Sequence, residues 1–321
     1  MIASADTPGT PAIATAALTR RFDELTAVDA VTLEVPRGAV FGLLGPDGAG
    51  KSTLITMLAT VQRPSDGEAH VLGHSVVGEA EQIKPRIGYM SQRFSMYPDL
   101  TVAENLEFFS RVRGVPRPVR RERATRLLAQ MGMERFSDRL ADRLSGGMKQ
   151  KLMLAATLMT EPDLLLLDEP TTGVDPVSRR EFWRIIAGLH RAGKTVLVAT
   201  PYMDEAERCT AIAFMDSGRI TRTGSPASIK ARVPGTLFEV TASPQHDALT
   251  TLGTLPGVTS AHMLGETIRV LVAAGGPDAD GLRAAVERGS SERAGGRVSR
   301  SERVPVDMEA AFAFLAEEGV R

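Results

Sequence analysis

The stretch VFGLLGPDGAGKST, Val40–Thr53, decides the fold. Val40–Leu44 reads as a strand that feeds directly into a glycine loop, and a helix follows from about Lys51 to Ala59. The spacing Gly45-x4-Gly50-Lys51-Ser52, set between a strand and a helix, is the context in which a loop of this composition wraps phosphates. Gly48 and Gly50 let the backbone turn its N–H groups inward, and Gly45, Pro46, Asp47 and Ala49 complete the wrap. The N-terminus of the following helix adds a favourable dipole. Lys51 offers positive charge to the outer phosphates, Ser52 a hydroxyl to magnesium, and Thr53 a hydrogen bond to phosphate. The bland alternative is a glycine-rich turn that binds nothing.

Two later segments bear on that choice. LLLLDEP, Leu164–Pro170, is a fully apolar run ending in two acids, as expected of a buried parallel strand. Asp168 at its edge is placed to organise a magnesium shell, and Glu169 to orient a water against a γ-phosphate. Two surface acids after a core strand is the competing reading. LSGGM, Leu144–Met148, puts Ser145, Gly146 and Gly147 at the start of a helix, where taken by themselves they read as a plain N-cap with flexible glycines.

With 321 residues, 43% hydrophobic and 24% charged, the chain has room for one large globular domain and a small one. A net charge of -1 gives no reason to expect nucleic acid as a partner. No apolar run approaches the roughly 18–20 residues that span a bilayer. Residues 1–14 are expected to form a mobile leader, since they lack the basic start and apolar core of a secretory signal. Cys209 is the single cysteine, which excludes an internal disulfide and suits a reducing cytoplasm.

The expected organisation is α/β. Strands at Ala17–Phe22, Val31–Val35, Val40–Leu44, Glu68–Gly73 and Arg86–Gln92 precede a helical block from Thr101 to Met159, broken at Gly114, Pro116 and Pro118. Helix Val177–Leu189, strand Thr195–Ala199, helix Tyr202–Arg208 and strand Ala211–Met215 complete the alternation. Character changes after Val233. A nucleotide domain over 15–233 and a small α+β domain over 234–321 are therefore expected.

In this order the motifs resemble the ATP-binding subunits of ATP-binding-cassette (ABC) transporters, from about Ala17 to Arg232. The resemblance implies a P-loop NTPase domain with a RecA-like core, a β-subdomain and a helical subdomain, using ATP and Mg2+. It implies that LSGGM is the signature motif, contacting the ATP held by the opposite subunit. It further implies that Gln92 senses magnesium and water, that Phe22 stacks on adenine, and that Asp175 crosses a dimer interface. A core phenylalanine and a simple helix N-cap before Pro176 are the structural readings of the last two. Glu169, Gln92 and Lys51 are the expected catalytic set, and Ser52, Gln92 and Asp168 the expected metal set.

The sequence departs from that pattern at three places. Asp47 replaces the usual Asn and Met148 a common Gln; neither removes a backbone donor. Pro201, in VLVATPYMDEAERC, stands where the family has a histidine that contacts the γ-phosphate, and proline donates no hydrogen bond. The chain is thus expected either to pair with a different cassette, one site being weakened, or to form a homodimer in which Glu169 suffices. A subunit that closes on ATP with little hydrolysis is the alternative function.

FGLLGPDGAGKSTLITMLATVQRPSDGEAHVLGHSV and PYMDEAERC are similar to the cassettes of ABC-2-type exporters, including multidrug systems. The implied partner is a separate membrane permease, docked near Gln92 to Phe109 at the cytoplasmic face of the membrane. Seven arginines from Arg111 to Arg126 read either as a contact for anionic lipid or an acidic permease loop, or as a solvated helix face. A ribosome-acting ATPase would carry two cassettes, and a chromosome ATPase long coiled-coil insertions; one cassette and no such insertion are present.

Overall fold

The computed structural model describes residues 9–289 and 297–318, so the first eight residues of the expected leader lie outside it. The chain divides into two compact units, Met1–Ser225 and Pro226–Arg321.

The first unit begins with a hairpin of β1 (Ile13–Phe22) and β2 (Leu25–Val35). Both strands start earlier than their apolar cores suggested. Ala12 and Ile13 are fully buried, so the expected leader gives way to structure before residue 14. The strand β3 (Val40–Leu44) and helix α1 (Lys51–Leu58) flank the glycine loop. The strands β4 (Asp66–Val71) and β5 (His74–Ser75) return to the hairpin, giving the antiparallel order β2-β1-β4-β5. Short α2 (Ala80–Ile83) then leads into β6 (Ile87–Met90), which stops before Gln92 and leaves that residue in a loop.

The helical block holds α3 (Val102–Val112), α4 (Arg117–Met131) and α5 (Gly146–Leu158), packed on one another. A capping box fixes the start of α3: Thr101 and Glu104 satisfy each other's backbone N–H. Pro118 is not a break, as expected from sequence, but lies in the first turn of α4, where its missing N–H has no helical partner to lose. Of the seven arginines, Arg120 pairs with Glu107, and Arg123 and Arg126 with Glu161, so part of the basic run serves packing between elements.

Next come β7 (Leu164–Asp168), α6 (Pro176–Arg191), β8 (Thr195–Thr200), α7 (Met203–Ala206), β9 (Ala211–Asp216) and β10 (Arg219–Gly224). The second sheet runs β10-β9-β3-β8-β7-β6, parallel except at the β10 edge. Every residue of β3, β7 and β8 is buried, which is why these strands read as continuous apolar runs. Leu54, Ile55, Met57 and Leu58 of α1 join a single core with Ile13, Leu18 and Val28 of the first sheet and Leu43 and Leu166 of the second.

The second unit contains α8 (Pro226–Lys230), β11 (Thr236–Ser243), α9 (Gln245–Gly253), β12 (Val258–Leu264), β13 (Thr267–Val272), α10 (Ala279–Gly289), β14 (Arg297–Val304) and α11 (Met308–Glu318). It starts at Pro226, ahead of the composition change at Val233 that set the expected boundary. Its sheet is antiparallel in the order β12-β13-β11-β14, which with the two intervening helices is the β-α-β-β-α-β ferredoxin-like arrangement. Phe238, Val240, Ile268 and Val270 form its core with Leu252, Leu282 and Val286 from the helices.

Candidate functional site

The neighbouring strands β3, β8, β7 and β6 end at the same edge, and each is followed by a segment carrying a candidate residue. Gly45 follows β3, Pro201 follows β8, Glu169 follows β7, and Gln92 lies just past β6. Crevices beyond the carboxyl ends of parallel strands are where open α/β sheets bind ligands.

Close packing shapes the glycine loop. A Cβ on Gly45 would lie 2.1 Å from the Met215 carbonyl oxygen, and one on Gly50, whose φ is 101°, would lie 2.2 Å from that of Ala27. Gly48 faces open space. Pro46, Asp47 and Gly48 are exposed, Ala49 is buried, and Ser52 and Thr53 open α1.

The buried Lys51 ammonium donates to the Gly45 and Pro46 carbonyls at 2.9 Å each. It also pairs with Glu169 at 3.3 Å, both side chains being almost fully buried. Glu169 accepts a hydrogen bond from the Gln92 amide at 2.8 Å and one from the Thr172 hydroxyl at 3.2 Å. Its backbone lies in the left-handed region, φ 47°. Ser52 donates to Asp168 at 2.9 Å. Burial pushes the Asp168 carboxyl above its ordinary pKa, with the Glu169 charge acting in the same direction; the Ser52 hydrogen bond and the Lys51 charge oppose it. Lys51, Ser52, Gln92, Asp168 and Glu169, drawn from three separate motifs, thus form one polar cluster.

Other candidates sit elsewhere. Phe22 is half-buried rather than a core residue, with the Arg20 guanidinium 4.5 Å from its ring centroid. Its end of the hairpin reaches the loop through Ala27. Ser145 caps α5, its hydroxyl accepting from the Met148 N–H at 3.4 Å. Gly147 is pressed against Ser178, where a Cβ would come within 2.4 Å, and Asp175 caps α6 by accepting from the Val177 and Ser178 N–H groups at 3.0 Å. Hydrogen bonds from Ser178 hold the Asp175 carboxyl below its ordinary pKa. The Ser145–Gly147 segment and Asp175 therefore form a second patch around Ser178. Among the described residues, no hydrogen bond or ion pair joins Ser145, Gly146, Gly147 or Asp175 to the glycine loop.

Pro201 follows Thr200, whose ladder partner is Leu44, the residue before Gly45. The segment is braced by the Tyr202 N–H donating to the Thr200 hydroxyl at 3.1 Å and by Arg179 lying 4.8 Å from the Tyr202 ring. Sequence reading missed Thr171, Thr172, Arg179 and Glu205 around this site, because their partners are set by tertiary contact and carry no local pattern.

The family model described as ABC transporter matches residues 28–172. The daunorubicin/doxorubicin resistance ATP-binding protein DrrA of Streptomyces peucetius is 42% identical over 244 residues, which is 76% of this chain and 73% of that protein. The chain belongs to the ABC transporter family. A probable multidrug ABC transporter ATP-binding protein of Escherichia coli, YbhF, is 43% identical over 226 residues, and this chain spans only 39% of its length. Among solved structures, the cbiO1 subunit from Clostridium perfringens, part of an ABC transporter complex, matches with a TM-score of 0.64 at 26% identity, covering 70% of this chain and 92% of that one. A dimeric ATP-binding cassette in a post-hydrolysis state, bound to ADP and Pi, matches with a TM-score of 0.61 at 26% identity, covering 66% and 98%. The first unit is thus an ATP-binding cassette with the P-loop NTPase fold.

Proposed function

We propose that this chain hydrolyses ATP to drive an ABC-2-type exporter through a separate membrane permease. The joining of Lys51, Gln92 and Glu169 at the carboxyl ends of the parallel strands, beside the glycine loop, carries the reading. The names of the relatives, drug resistance and multidrug transport, support export as the direction.

The loop from Gly45 to Thr53 holds the phosphates, with Lys51 exchanging its carbonyl partners for the outer ones. Phe22 stacks on adenine. Ser52, Asp168 and Gln92 form a hard oxygen donor set that suits Mg2+, and the 2.9 Å Ser52–Asp168 contact already brings two of these donors together. When bound there, the ion supplies charge neutralisation on the β- and γ-phosphates. Glu169, anchored by Gln92 and Thr172, orients a water. Its oxygen bonds to the γ-phosphorus as the bond to the ADP oxygen breaks, giving ADP, phosphate and a proton that the carboxylate can take up.

A second cassette, identical or different, supplies Ser145, Gly146, Gly147 and Asp175 to complete each site. ATP between the two closes the pair, and hydrolysis releases it. The permease docks on the face from Gln92 to Phe109. There Tyr97 and Phe108 are partly exposed and meet edge to face at 4.8 Å, and the buried Asn105 amide ties down the Tyr97, Leu100 and Thr101 carbonyls. No described helix is long and apolar enough to cross a membrane, which fits a subunit held peripherally by its partner. The relatives give no support to a cassette that closes without hydrolysing, and a water-orienting acid would be idle in one.

ATP turnover by the purified chain over a protein concentration series, beside Lys51→Ala and Glu169→Gln, tests the proposal. Activity rising steeply with concentration and lost in both variants is expected. Turnover that survives Lys51→Ala would sink it.

A further inference from the structure

Glu205 is fully buried, and its Oε2 has no hydrogen-bond partner. A carboxylate in that state is an unfavourable way to fill a core. Its other oxygen accepts a 2.7 Å hydrogen bond from the Thr171 hydroxyl and lies 3.7 Å from Nε of Arg179. Arg179, from α6, also pairs with Asp204 and lies over the Tyr202 ring. Thr171 comes two residues after Glu169, and Glu205 four residues after Pro201.

We propose that Glu205, charge-balanced by Arg179, is a positioning residue that holds Glu169 through Thr171 and ties it to the Pro201 segment. The inference rests on the hydrolysis reading above. Glu169 sits at φ 47°, a backbone strain that persists only where its surroundings over-determine it. Upstream, β7 and the Glu169 N–H bond to the Ala199 carbonyl at 3.0 Å provide the anchor. Downstream, the Thr171–Glu205 bond does so. One carboxylate therefore sets the spacing between the turn that bears the water-orienting acid and the segment where proline has removed a side-chain donor. The planar fork of Arg179 reaches Glu205 and Asp204 together, which an ammonium point charge cannot reproduce.

The test uses Thr171→Val, which keeps shape and removes the donor, with Thr171→Ser as the conservative rescue. ATP turnover and amide hydrogen exchange are measured on the full chain. Thr171→Val is expected to lower kcat by about 10–100-fold with KM for ATP within about twofold, because misplacement of a reacting group by an ångström costs on that order. Thr171→Ser is expected to restore kcat. In Thr171→Val without nucleotide, amides at 169–172 and at 202–206 are expected to exchange faster together, since a strut loosens both of its ends. Unchanged kcat, or faster exchange confined to the neighbours of residue 171, overturns the proposal. If Thr171→Val is recovered unfolded, Arg179→Lys, at a partly exposed position, takes the same two readings with the same criteria. The exchange measurement needs no turnover. Absence of Lys51-dependent hydrolysis in the parent chain would refute the hydrolysis reading, while paired or unpaired exchange would still decide whether the strut exists.

Discussion

Replacing Glu169 with glutamine should change the stability of the nucleotide-free protein and its response to ATP in opposite directions. Lys51 and Glu169 are 3.3 Å apart with side-chain exposures of 3% and 6%. Glutamine offers one carbonyl oxygen and one NH2 group. Turned to serve Gln92 and Thr172, it points donors at the Lys51 ammonium; turned the other way, it points them at the Gln92 amide. Removing one partner of a buried ion pair costs about 3–5 kcal/mol when the other charge is left bare. Lys51 keeps the Gly45 and Pro46 carbonyls at 2.9 Å, so its charge is not bare. A discounted loss of about 1–2 kcal/mol follows, hydrogen bonds to a charged group being worth roughly that much. For a unit of this size each kcal/mol moves the midpoint by about 2–4 °C, so the nucleotide-free Tm should fall by ~2–8 °C. In the proposed ATP complex of this variant the Lys51 ammonium would meet phosphate without a competing carboxylate. The ATP-induced rise in Tm should therefore exceed that of the parent by a similar amount, while turnover drops by about 10²–10⁴. Thermal scans by circular dichroism with and without ATP read both shifts. A nucleotide-free Tm at or above the parent value, or an equal ATP-induced rise in both proteins, would refute the reasoning.

Other outcomes follow from the same geometry. Gly50→Ala, with its Cβ 2.2 Å from a carbonyl oxygen and φ at 101°, should lose about 2–4 kcal/mol of stability in denaturant titration along with ATP binding. Gly48→Ala, facing open space at φ 81°, should stay within about 2 kcal/mol of the parent and mainly weaken ATP affinity. Burial, reinforced by the Glu205 charge, pushes the Cys209 thiol up to about 12, so iodoacetamide at pH 8 should label it about 10³-fold more slowly than a free thiol until the protein is unfolded. The Asp168 carboxyl, raised by burial, keeps its proton at pH values where a solvated aspartate has lost it. In the site proposed above Mg2+ would displace that proton, so Mg2+-dependent ATP affinity should weaken as pH falls toward the raised value, by about tenfold per unit below it, and Asp168→Asn should remove the slope.

The nucleotide unit was legible because its chemistry lies in contiguous runs. A buried parallel strand announces itself as VFGLL or LLLL, and the loop spacing is written in consecutive residues. Where the structure differs, the deciding contact is remote. Ile13 looked like leader because its partners, Val35 and Val71, lie on strands far along the chain. The strand β10 went unread because its RITRTG sequence alternates on an exposed edge and only its pairing with β9 defines it. Pro118 has the same local signature whether it breaks a helix or starts one. The second unit could be read as α+β, but its ferredoxin-like strand order depends on which edges pair, and composition does not carry that. Thr171, Arg179 and Glu205 gave no sign of belonging together, since the Thr171–Glu205 bond spans 34 residues.

The place of β3 between β8 and β9 has a consequence for how the protein is made. All five residues of β3 are buried, yet neither neighbour exists until the chain has grown by about 150 residues beyond Leu44. At about 5–20 residues per second of synthesis, that interval is roughly 8–30 s. Through it the nascent chain carries an apolar strand with both edges unpaired, the kind of segment that templates aggregation. The glycine loop is thus translated early and framed late, and ATP in the cell can add to the stability of this cassette only after β8 and β9 have closed around it.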